Sequence, residues 1–193
     1  MEGPLEMAFG AASRFFVEAV GLVPASAWPQ RGLGNWTVVE LVAHGNRAHT
    51  TVEEYLLRPR PAEPAGSSYF SDEAVAKRGR AAVAALGADP AAAVAAASER
   101  SIALVDRTPA NATLGSPAGT MALGAYLPSR IAELTVHGLD VAAAVGLELA
   151  APPLALVESL RFVTGRLVKK GEGEAVLLAL TGRAQLPPGF SAF

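Results

Sequence analysis

The chain has 193 residues, of which 51% are hydrophobic and 18% charged, and its formal net charge is -2. This composition supplies ample apolar material for a core and argues against intrinsic disorder. The near-neutral charge gives no basic surface for nucleic acid or an anionic membrane. No uncharged apolar run reaches the roughly 18 residues of a membrane span, and the N-terminus does not resemble a signal peptide. We therefore expect a cytoplasmic protein with neither a nucleic-acid nor a membrane partner.

The sequence contains no cysteine, so the chain itself supplies no disulfide, no thiolate ligand for zinc and no thiol nucleophile. If sulfur takes part in its chemistry, the sulfur must arrive on a substrate. Alanine dominates and arginine outnumbers lysine, a bias that is common in GC-rich bacterial genomes.

The periodicity of apolar residues, the capping residues and the helix breakers together predict a mainly α-helical chain. Prolines and glycines separate its segments. In chain order, we predict helices over residues 5–22, 37–57, 71–105, 123–145 and 153–169, followed by a strand over residues 174–181.

The second predicted helix has the clearest start. Thr37 and Glu40 form a T-x-x-E capping box, and Trp36 and Leu41 take the two positions of a hydrophobic staple. We interpret Trp36 as this staple and not as a residue that stacks on a ligand. The proline-rich residues 58–68 predict a loop after the helix.

The third and fourth predicted helices both contain breakers. We expect the third to be broken near Gly87 and Pro90. Residues 108–124 (TPANATLGSPAGTMALG) predict a long loop with a short extended piece. Because Pro128 fits best in a first helical turn, we expect the regular part of the fourth helix to begin near Leu127.

The character of the sequence changes after the fourth helix. We predict a helical bundle over residues 1–150 and a short extension over residues 151–193 that contains one helix and one strand. A lone strand at 174–181 cannot satisfy its own backbone. It must pair with residues 112–122, with the final residues or with a second copy of the chain, and the last option predicts a homodimer.

The fourth helix contains two ionisable residues in apolar surroundings. Glu133 and His137, in the stretch ELTVHGLD, are one helical turn apart, so their side chains point within roughly 40° of each other. An ionised carboxylate among apolar neighbours must be paired or must bind a metal. The spacing suits two ligands of one ion, as in HExxH motifs.

His44 offers a third ligand. It ends an apolar turn of the second helix (LVAH), and helical bundles build metal sites from side chains on facing helices. The set His44, Glu133 and His137 would leave the fourth position of a tetrahedral ion open, which is typical of catalytic zinc. Zinc is therefore our first choice of metal, although nickel, iron(II) and manganese accept the same donors.

Simpler interpretations of these residues stay open. His44 also suits an ordinary helix histidine, and Glu133 also suits an ion pair with Arg130 on the same helix. His49, five residues after His44, points away from it and is not predicted to be a ligand. Asp140 suits either a hydrogen-bond partner for an imidazole N–H or a surface aspartate.

Two stretches of the sequence carry recognisable motifs. WTVVELVAH ends at His44, and RIAELTVHGLD runs from Arg130 to Asp140. They resemble the two signatures, W-t-v-x-d-L-v-a-H and R-x-x-E-l-x-v-H-x-x-D, of the mycothiol-dependent maleylpyruvate isomerase N-terminal domains. The resemblance covers roughly residues 5–150 and implies a DinB-like, metal-binding four-helix bundle. The tail ALTGRAQLPPGF also resembles C-terminal pieces of actinobacterial relatives.

The resemblance implies a zinc ion held by His44, Glu133 and His137, and a low-molecular-weight thiol, mycothiol or a similar one, that reacts as a thiolate. In the isomerase, the thiolate adds to the double bond of maleylpyruvate, and rotation and elimination then give fumarylpyruvate. The expected partners are therefore a small-molecule thiol and a small electrophile.

We therefore predict a metal-dependent transferase or isomerase in which Arg130 and Asp140 have catalytic roles and Arg47 contacts the thiol cofactor. Two alternatives stay open. One is a non-enzymatic module that binds metal or a small molecule. The other is a DinB-like hydrolase in which the open position holds water; its nearest candidate base, Glu40, is occupied by the capping box.

Overall fold

The computed structural model describes residues 3–57 and 64–192, so residues 58–63 of the predicted proline-rich loop lie outside the described residues. The described chain is mainly α-helical with one small hairpin and a small C-terminal appendage, which confirms the predicted fold class. Its elements in chain order are α1 (Pro4–Gly21), α2 (Val38–Leu57), α3 (Asp72–Ala82), α4 (Pro90–Asp106), β1 (Thr113–Ser116), β2 (Gly119–Ala122), α5 (Leu123–Ala144), α6 (Pro153–Lys169) and α7 (Gly173–Leu180).

Helices α1, α2, α4 and α5 form the bundle. Both α1 and α2 pack against α4 and α5, so within the bundle each helix packs against two of the others. Each helix turns an apolar stripe to the centre because its hydrophobic residues recur at helical spacing. The largest fully buried side chains include Phe9, Phe16, Leu41, Leu114, Leu123, Leu127, Ile131 and Leu134.

The predicted start of α2 is confirmed by its hydrogen bonds. The backbone N–H of Thr37 donates to the Glu40 carboxylate at 2.8 Å, and the N–H of Glu40 reaches the Thr37 hydroxyl at 3.4 Å. This reciprocal pair satisfies two amide donors that a helix start would otherwise leave unpaired. Trp36, just before the cap, packs against the bundle core.

The predicted break in the third helix is also confirmed. After α3, a short 3-10 turn over Val83–Leu86 leads to Gly87, whose φ of +64° is a conformation that favours glycine. Asp89 then caps α4 by accepting a hydrogen bond from the Ala92 amide at 3.0 Å. The two helical segments meet at a bend of 100°, which lets α4 join the bundle while α3 lies against α2.

The predicted extended piece is a two-stranded hairpin. β1 and β2 are antiparallel, with Thr113 opposite Ala122 and Ser116 opposite Gly119. The hairpin leads directly into α5, since the Leu123 amide donates to the Ala112 carbonyl at 2.8 Å. Residues 112–122 therefore find their strand partner within the same segment.

The fourth helix, predicted over residues 123–145, is confirmed as α5, but the expectation that its regular part begins near Leu127 was wrong. The helix begins four residues earlier, at Leu123, and Pro128 lies inside it, in the second turn. Leu123 and Leu127 are both fully buried, so packing of this first turn on the bundle outweighs the hydrogen bond that Pro128 cannot donate.

The predicted strand over residues 174–181 was also wrong, because this segment forms α7. A short apolar run does not distinguish a strand from a helix, and EAVLLAL consists largely of strong helix formers. Only Val176 of this helix is buried, whereas Leu177 and Leu180 are 63% and 73% exposed. Residues 174–181 therefore supply no unpaired strand that calls for a second chain, and the homodimer stays a prediction without that support.

The C-terminal appendage, α6 with α7 and the residues that follow, has its own small cluster. Leu167, Val176 and Ala192 are buried there, with Val163 and Phe190 packed against them. α6 also packs against α5 and α1. The predicted division near residue 150 stays a prediction.

Among the described residues, no single helix is long and apolar enough to cross a membrane. The pair Glu73–Leu86 and Pro90–Asp106 would meet the length and composition criteria only when taken together, across its 100° bend.

Candidate metal centre

The candidate site lies on a polar seam between α2 and α5. On α2, the seam residues recur at helical spacing and are His44, Arg47, Thr51 and Tyr55. On α5, they recur in the same way and are Tyr126, Arg130, Glu133 and His137. The two helices run antiparallel, since His44 meets Glu133 and His137 at one end while Thr51 meets Tyr126 at the other. We call this set of eight residues the α2–α5 seam.

His44, Glu133 and His137 converge at one end of the seam. Glu133 Oε2 lies 3.6 Å from His44 Nε2 and 3.2 Å from His137 Nε2. One donor atom from each residue lies within 4.8 Å of the other two, which is compatible with a shared metal ion. The side chains are 16%, 27% and 14% exposed, so the site is sheltered but open to solvent. The structure thus brings together the three residues that the sequence predicts as ligands.

Asp140 fixes the orientation of His137. Its Oδ2 lies 3.0 Å from Nδ1 of His137, so the opposite ring nitrogen, Nε2, is the one that faces Glu133. Carboxylates commonly hold metal-binding histidines in this way. Of the two interpretations of Asp140, the structure favours the hydrogen-bond partner, while a catalytic role stays a prediction.

His44 is held by packing instead of by a carboxylate. The indole of Trp36 lies against its imidazole, with ring centroids 4.6 Å apart and planes tilted by 54°. Nδ1 of His44 is buried and has no hydrogen-bond partner among the described residues. On the α3 side, a Cβ added at Gly79 would lie 3.4 Å from the His44 Cβ, so α3 closes over this histidine. Sequence reasoning assigned Trp36 only to a staple and missed its contact with His44.

The three predicted ligands have pKa values that are shifted in different directions. Burial would lower the pKa of His137, but its contacts with Asp140 and Glu133 raise it to about 9. Burial would raise the pKa of Glu133, but His137, His44 and the charge of Arg130 hold it well below its usual value. Burial lowers the pKa of His44 despite the nearby carboxylate. These shifts favour an ionised Glu133, a protonated His137 and a neutral His44 at neutral pH.

Arg130 does not form the simple ion pair with Glu133 that the sequence left open. Its Nε donates to the Ser129 hydroxyl at 3.2 Å, and its guanidinium lies 4.9 Å from the centre of the Tyr126 ring. Its charge still lowers the pKa of Glu133. Glu133 itself contacts the two imidazoles instead.

Arg47 lies one turn after His44 and is partly exposed. Burial lowers the pKa of His44, and the charge of Arg47 adds to that effect. At the other end of the seam, burial raises the pKa of Tyr55 and Tyr126, and the charge of Arg47 opposes this rise. Arg47 and Arg130 therefore place two positive charges along the seam beside the three predicted ligands. Contact of either arginine with a thiol or an electrophile stays a prediction.

The far end of the seam is a hydrogen-bonded link that sequence reasoning missed. The Tyr126 hydroxyl donates to the Thr51 hydroxyl at 2.9 Å, and the rings of Tyr55 and Tyr126 lie 5.8 Å apart. The regular spacing of Tyr126 with Arg130, Glu133 and His137 on one helix face could have indicated it.

His49 faces a different part of the bundle. It is fully buried, and its Nδ1 lies 3.1 Å from Oδ1 of Asn46. The rings of Phe9 and Phe16 contact its imidazole edge-on, at 6.4 and 6.0 Å between centroids. Burial lowers the pKa of His49 to about 3, so the imidazole is neutral in the folded chain. It is not among the three residues whose donor atoms converge.

Two open surface grooves lie away from the seam. One, of about 440 Å³, runs between α1 and α4 and includes Arg14 and Glu99; the other, of about 410 Å³, lies beside residues 105–110. Neither is lined by a seam residue. The convergence of donor atoms, and not a cavity, identifies the candidate site.

The three residues fit a divalent transition metal. Two imidazole nitrogens and one carboxylate oxygen are the donor set of many catalytic zinc sites, and nickel, iron(II) and manganese accept the same donors. The orientation of His137 by Asp140 adds the outer contact that such sites commonly have. With three protein ligands, a tetrahedral ion would keep one position for a substrate.

Comparison with known proteins supports the resemblance drawn from the two motifs. A family model described as the mycothiol maleylpyruvate isomerase N-terminal domain matches residues 9–142, which include all three predicted ligands. No curated protein and no solved structure matched the chain.

Proposed function

The chain belongs to the mycothiol maleylpyruvate isomerase N-terminal domain family, and on that premise we propose that it is a metal-dependent enzyme. In this proposal the enzyme activates a low-molecular-weight thiol, mycothiol or a similar one. The activated thiol then either is transferred to a small electrophile or adds to it and promotes its isomerisation. The observation that carries the proposal is the convergence of His44, Glu133 and His137 to within 4.8 Å in a chain of this family.

Zinc is the metal that we propose. His44, Glu133 and His137 supply two nitrogens and one oxygen, which matches three-ligand catalytic zinc sites. A bound divalent ion would supply the means to lower the pKa of a thiol that enters its open position. Because the chain has no cysteine, that thiol must come from a cosubstrate.

The chain's own residues then have distinct tasks. Asp140 holds the imidazole of His137 through Nδ1, so that Nε2 stays directed at the site. Glu133 remains ionised and supplies the negative charge that favours a cation between the helices. Arg47 and Arg130 provide positive charge along the seam, which suits the binding of a thiol or an electrophile that carries an acidic group. Arg130 is placed for this task by its contacts with Ser129 and Tyr126.

The test is a turnover assay with purified protein, a panel of small electrophiles and either mycothiol or a simpler thiol such as glutathione. We expect saturable loss of an electrophile only when thiol and metal are both present. The Glu133→Ala variant should lose this activity, while Glu99→Ala, on the surface of α4, should retain it.

Two other outcomes would favour the alternatives. Metal binding without turnover over the whole panel would indicate a binding module. Metal-dependent hydrolysis that needs no thiol would indicate a DinB-like hydrolase.

A further inference from the structure

Each of the two predicted histidine ligands is followed by a buried glycine. Gly45 follows His44 on α2, and Gly138 follows His137 on α5. Glycine is a poor residue for a helix interior, and alanine would stabilise either helix better. The absence of a side chain at both positions therefore calls for a reason in the packing.

The reason is the close approach of two rings from α1. A Cβ added at Gly45 would lie 2.6 Å from Cζ of Phe16, and a Cβ added at Gly138 would lie 2.6 Å from Cε1 of Phe15. Non-bonded carbon atoms are normally about 3.5–4.0 Å apart. Each ring thus occupies the space that a side chain on the ligand helix would need.

Phe15 and Phe16 are consecutive, so their side chains leave α1 about 100° apart and reach different helices. Phe16 meets α2 and Phe15 meets α5, and both are buried, with exposures of 0% and 2%. Because Phe16 also contacts His49, its ring has little room to move aside. Through these two rings, α1 contacts both α2 and α5 directly beside the predicted ligands.

The geometry of the predicted metal site depends on the separation of α2 and α5. Glu133 and His137 share α5, and one helical turn fixes their relation. His44 lies on α2, so its 3.6 Å separation from Glu133 depends on how α2 and α5 sit against each other. At the same place, a Cβ on Gly45 would lie only 3.2 Å from the Cβ of His137.

The magnitudes show that one methyl group is enough to disturb the site. Relieving the contact at Gly45 from 2.6 Å to an ordinary 3.4 Å requires a movement of 0.8 Å, the difference between the two distances. Metal–ligand distances are held within about 0.2 Å of their preferred values. Because the buried Phe16 ring is held by His49, part of this movement falls on α2, and half of it would already exceed that range.

We propose that two positioning residues set the separation of α2 and α5, namely Phe16, which packs on Gly45, and Phe15, which packs on Gly138. Through this separation they set the metal affinity of the triad His44, Glu133 and His137. This inference rests on the proposed function and adds to it the residues that hold the triad in place.

The test compares zinc affinity, measured by competition with a chromophoric chelator, in the full chain and its Gly45→Ala variant. We expect Gly45→Ala to bind zinc at least tenfold more weakly while its helical circular dichroism is unchanged. The matched control is Gly165→Ala in α6, where an added Cβ has nothing within 4 Å; it should bind zinc as the parent does. Gly138→Ala should repeat the loss.

A rescue variant separates positioning from general damage. Phe16→Leu alone leaves a gap beside α2 and should weaken zinc binding, whereas Gly45→Ala combined with Phe16→Leu should bind more tightly than either single variant. This comparison holds even where Gly45→Ala fails to fold, since the double variant should then fold and bind.

Three results would be decisive against the proposal. Folded Gly45→Ala and Gly138→Ala proteins that bind zinc within twofold of the parent would overturn this inference alone. So would a double variant that binds no better than its single variants. A parent and a Gly165→Ala control that bind no metal would overturn the proposed function, and this inference with it.

Discussion

The bundle and the C-terminal appendage differ in how much of their apolar surface is covered. In the bundle, large side chains such as Phe9, Phe16 and Leu127 are fully buried between four helices. In the appendage, the buried cluster is small, and Leu160 and Leu180 are 58% and 73% exposed. The comparison indicates that most of the hydrophobic stabilisation comes from the bundle, which also contains the candidate metal site, since this stabilisation scales with the apolar area removed from water.

Truncation of one buried leucine in each region should reveal the largest difference in stability between the bundle and the appendage. Leu127 and Leu167 are both buried, with exposures of 0% and 3%, but Leu127 lies in the bundle core and Leu167 in the small cluster. We expect Leu127→Ala to cost about 2–5 kcal/mol of unfolding free energy, because its surroundings cannot collapse around the cavity. Leu167→Ala should cost clearly less. Urea unfolding of both variants measures the difference, and equal losses would show that the appendage is as tightly packed as the bundle.

Removing the carboxylate beside His137 should affect the site without affecting the bundle. Asp140→Asn keeps the size of the side chain but weakens its hold on Nδ1. We expect zinc affinity to fall about 10–100-fold, as is usual for such outer contacts, with little change in stability. Asp106→Asn, on the exposed surface of α4, is the matched control. An unchanged zinc affinity in Asp140→Asn would show that the contact of Asp140 with His137 does not support metal binding.

His49, in the bundle core, should contribute to the acid sensitivity of the chain. Its pKa is about 3 in the folded chain, against 6.5 for an exposed histidine. Above pH 6.5, neither state binds the proton and His49 has no effect on stability. Between pH 6.5 and about 3, only the unfolded state binds it, so stability falls by up to about 1.4 kcal/mol per pH unit as the pH decreases.

His49→Gln removes this titration from the core. We expect its stability to depend less steeply on pH than that of the parent between pH 6 and pH 4, by the equivalent of about one proton. Urea unfolding at several pH values gives both slopes. Identical slopes would mean that His49 is protonated in the folded chain or is not as deeply buried as described.

The smallest effect is expected at the exposed side chains of α7. Leu177→Gln and Leu180→Gln should each change the unfolding free energy by less than about 0.5 kcal/mol, because both side chains already face solvent. Light scattering should give the same particle mass before and after substitution. A large loss of stability together with a halved mass would instead show that these leucines are covered by a second copy of the chain.

The sequence predicted the parts of the fold that depend on local chemistry. The capping box of Thr37 and Glu40 placed the start of α2, and helical spacing placed Glu133 beside His137. These features are visible because neighbouring residues determine them. The choice of His44 as the third member needed the resemblance as well as the spacing.

The predictions from the sequence were wrong or incomplete where contacts between residues far apart in the chain determine the structure. α5 starts at Leu123 because that residue packs on the bundle and the hairpin leads into it, which local rules for Pro128 do not reveal. Residues 174–181 form a helix although a short apolar run suits a strand equally well. The contact of Trp36 with His44, and of Phe16 with Gly45, joins residues that only the folded chain brings together.

The most direct test of the metal site is elemental analysis of the purified protein beside His44→Ala and His137→Ala. We expect close to one divalent ion per chain in the parent, zinc in our proposal, and loss of that ion in both variants while the fold is kept. A parent that contains no metal, and takes up none after dialysis against zinc, would contradict the account. Glu133 and His137 would then be an ion pair inside a helical bundle.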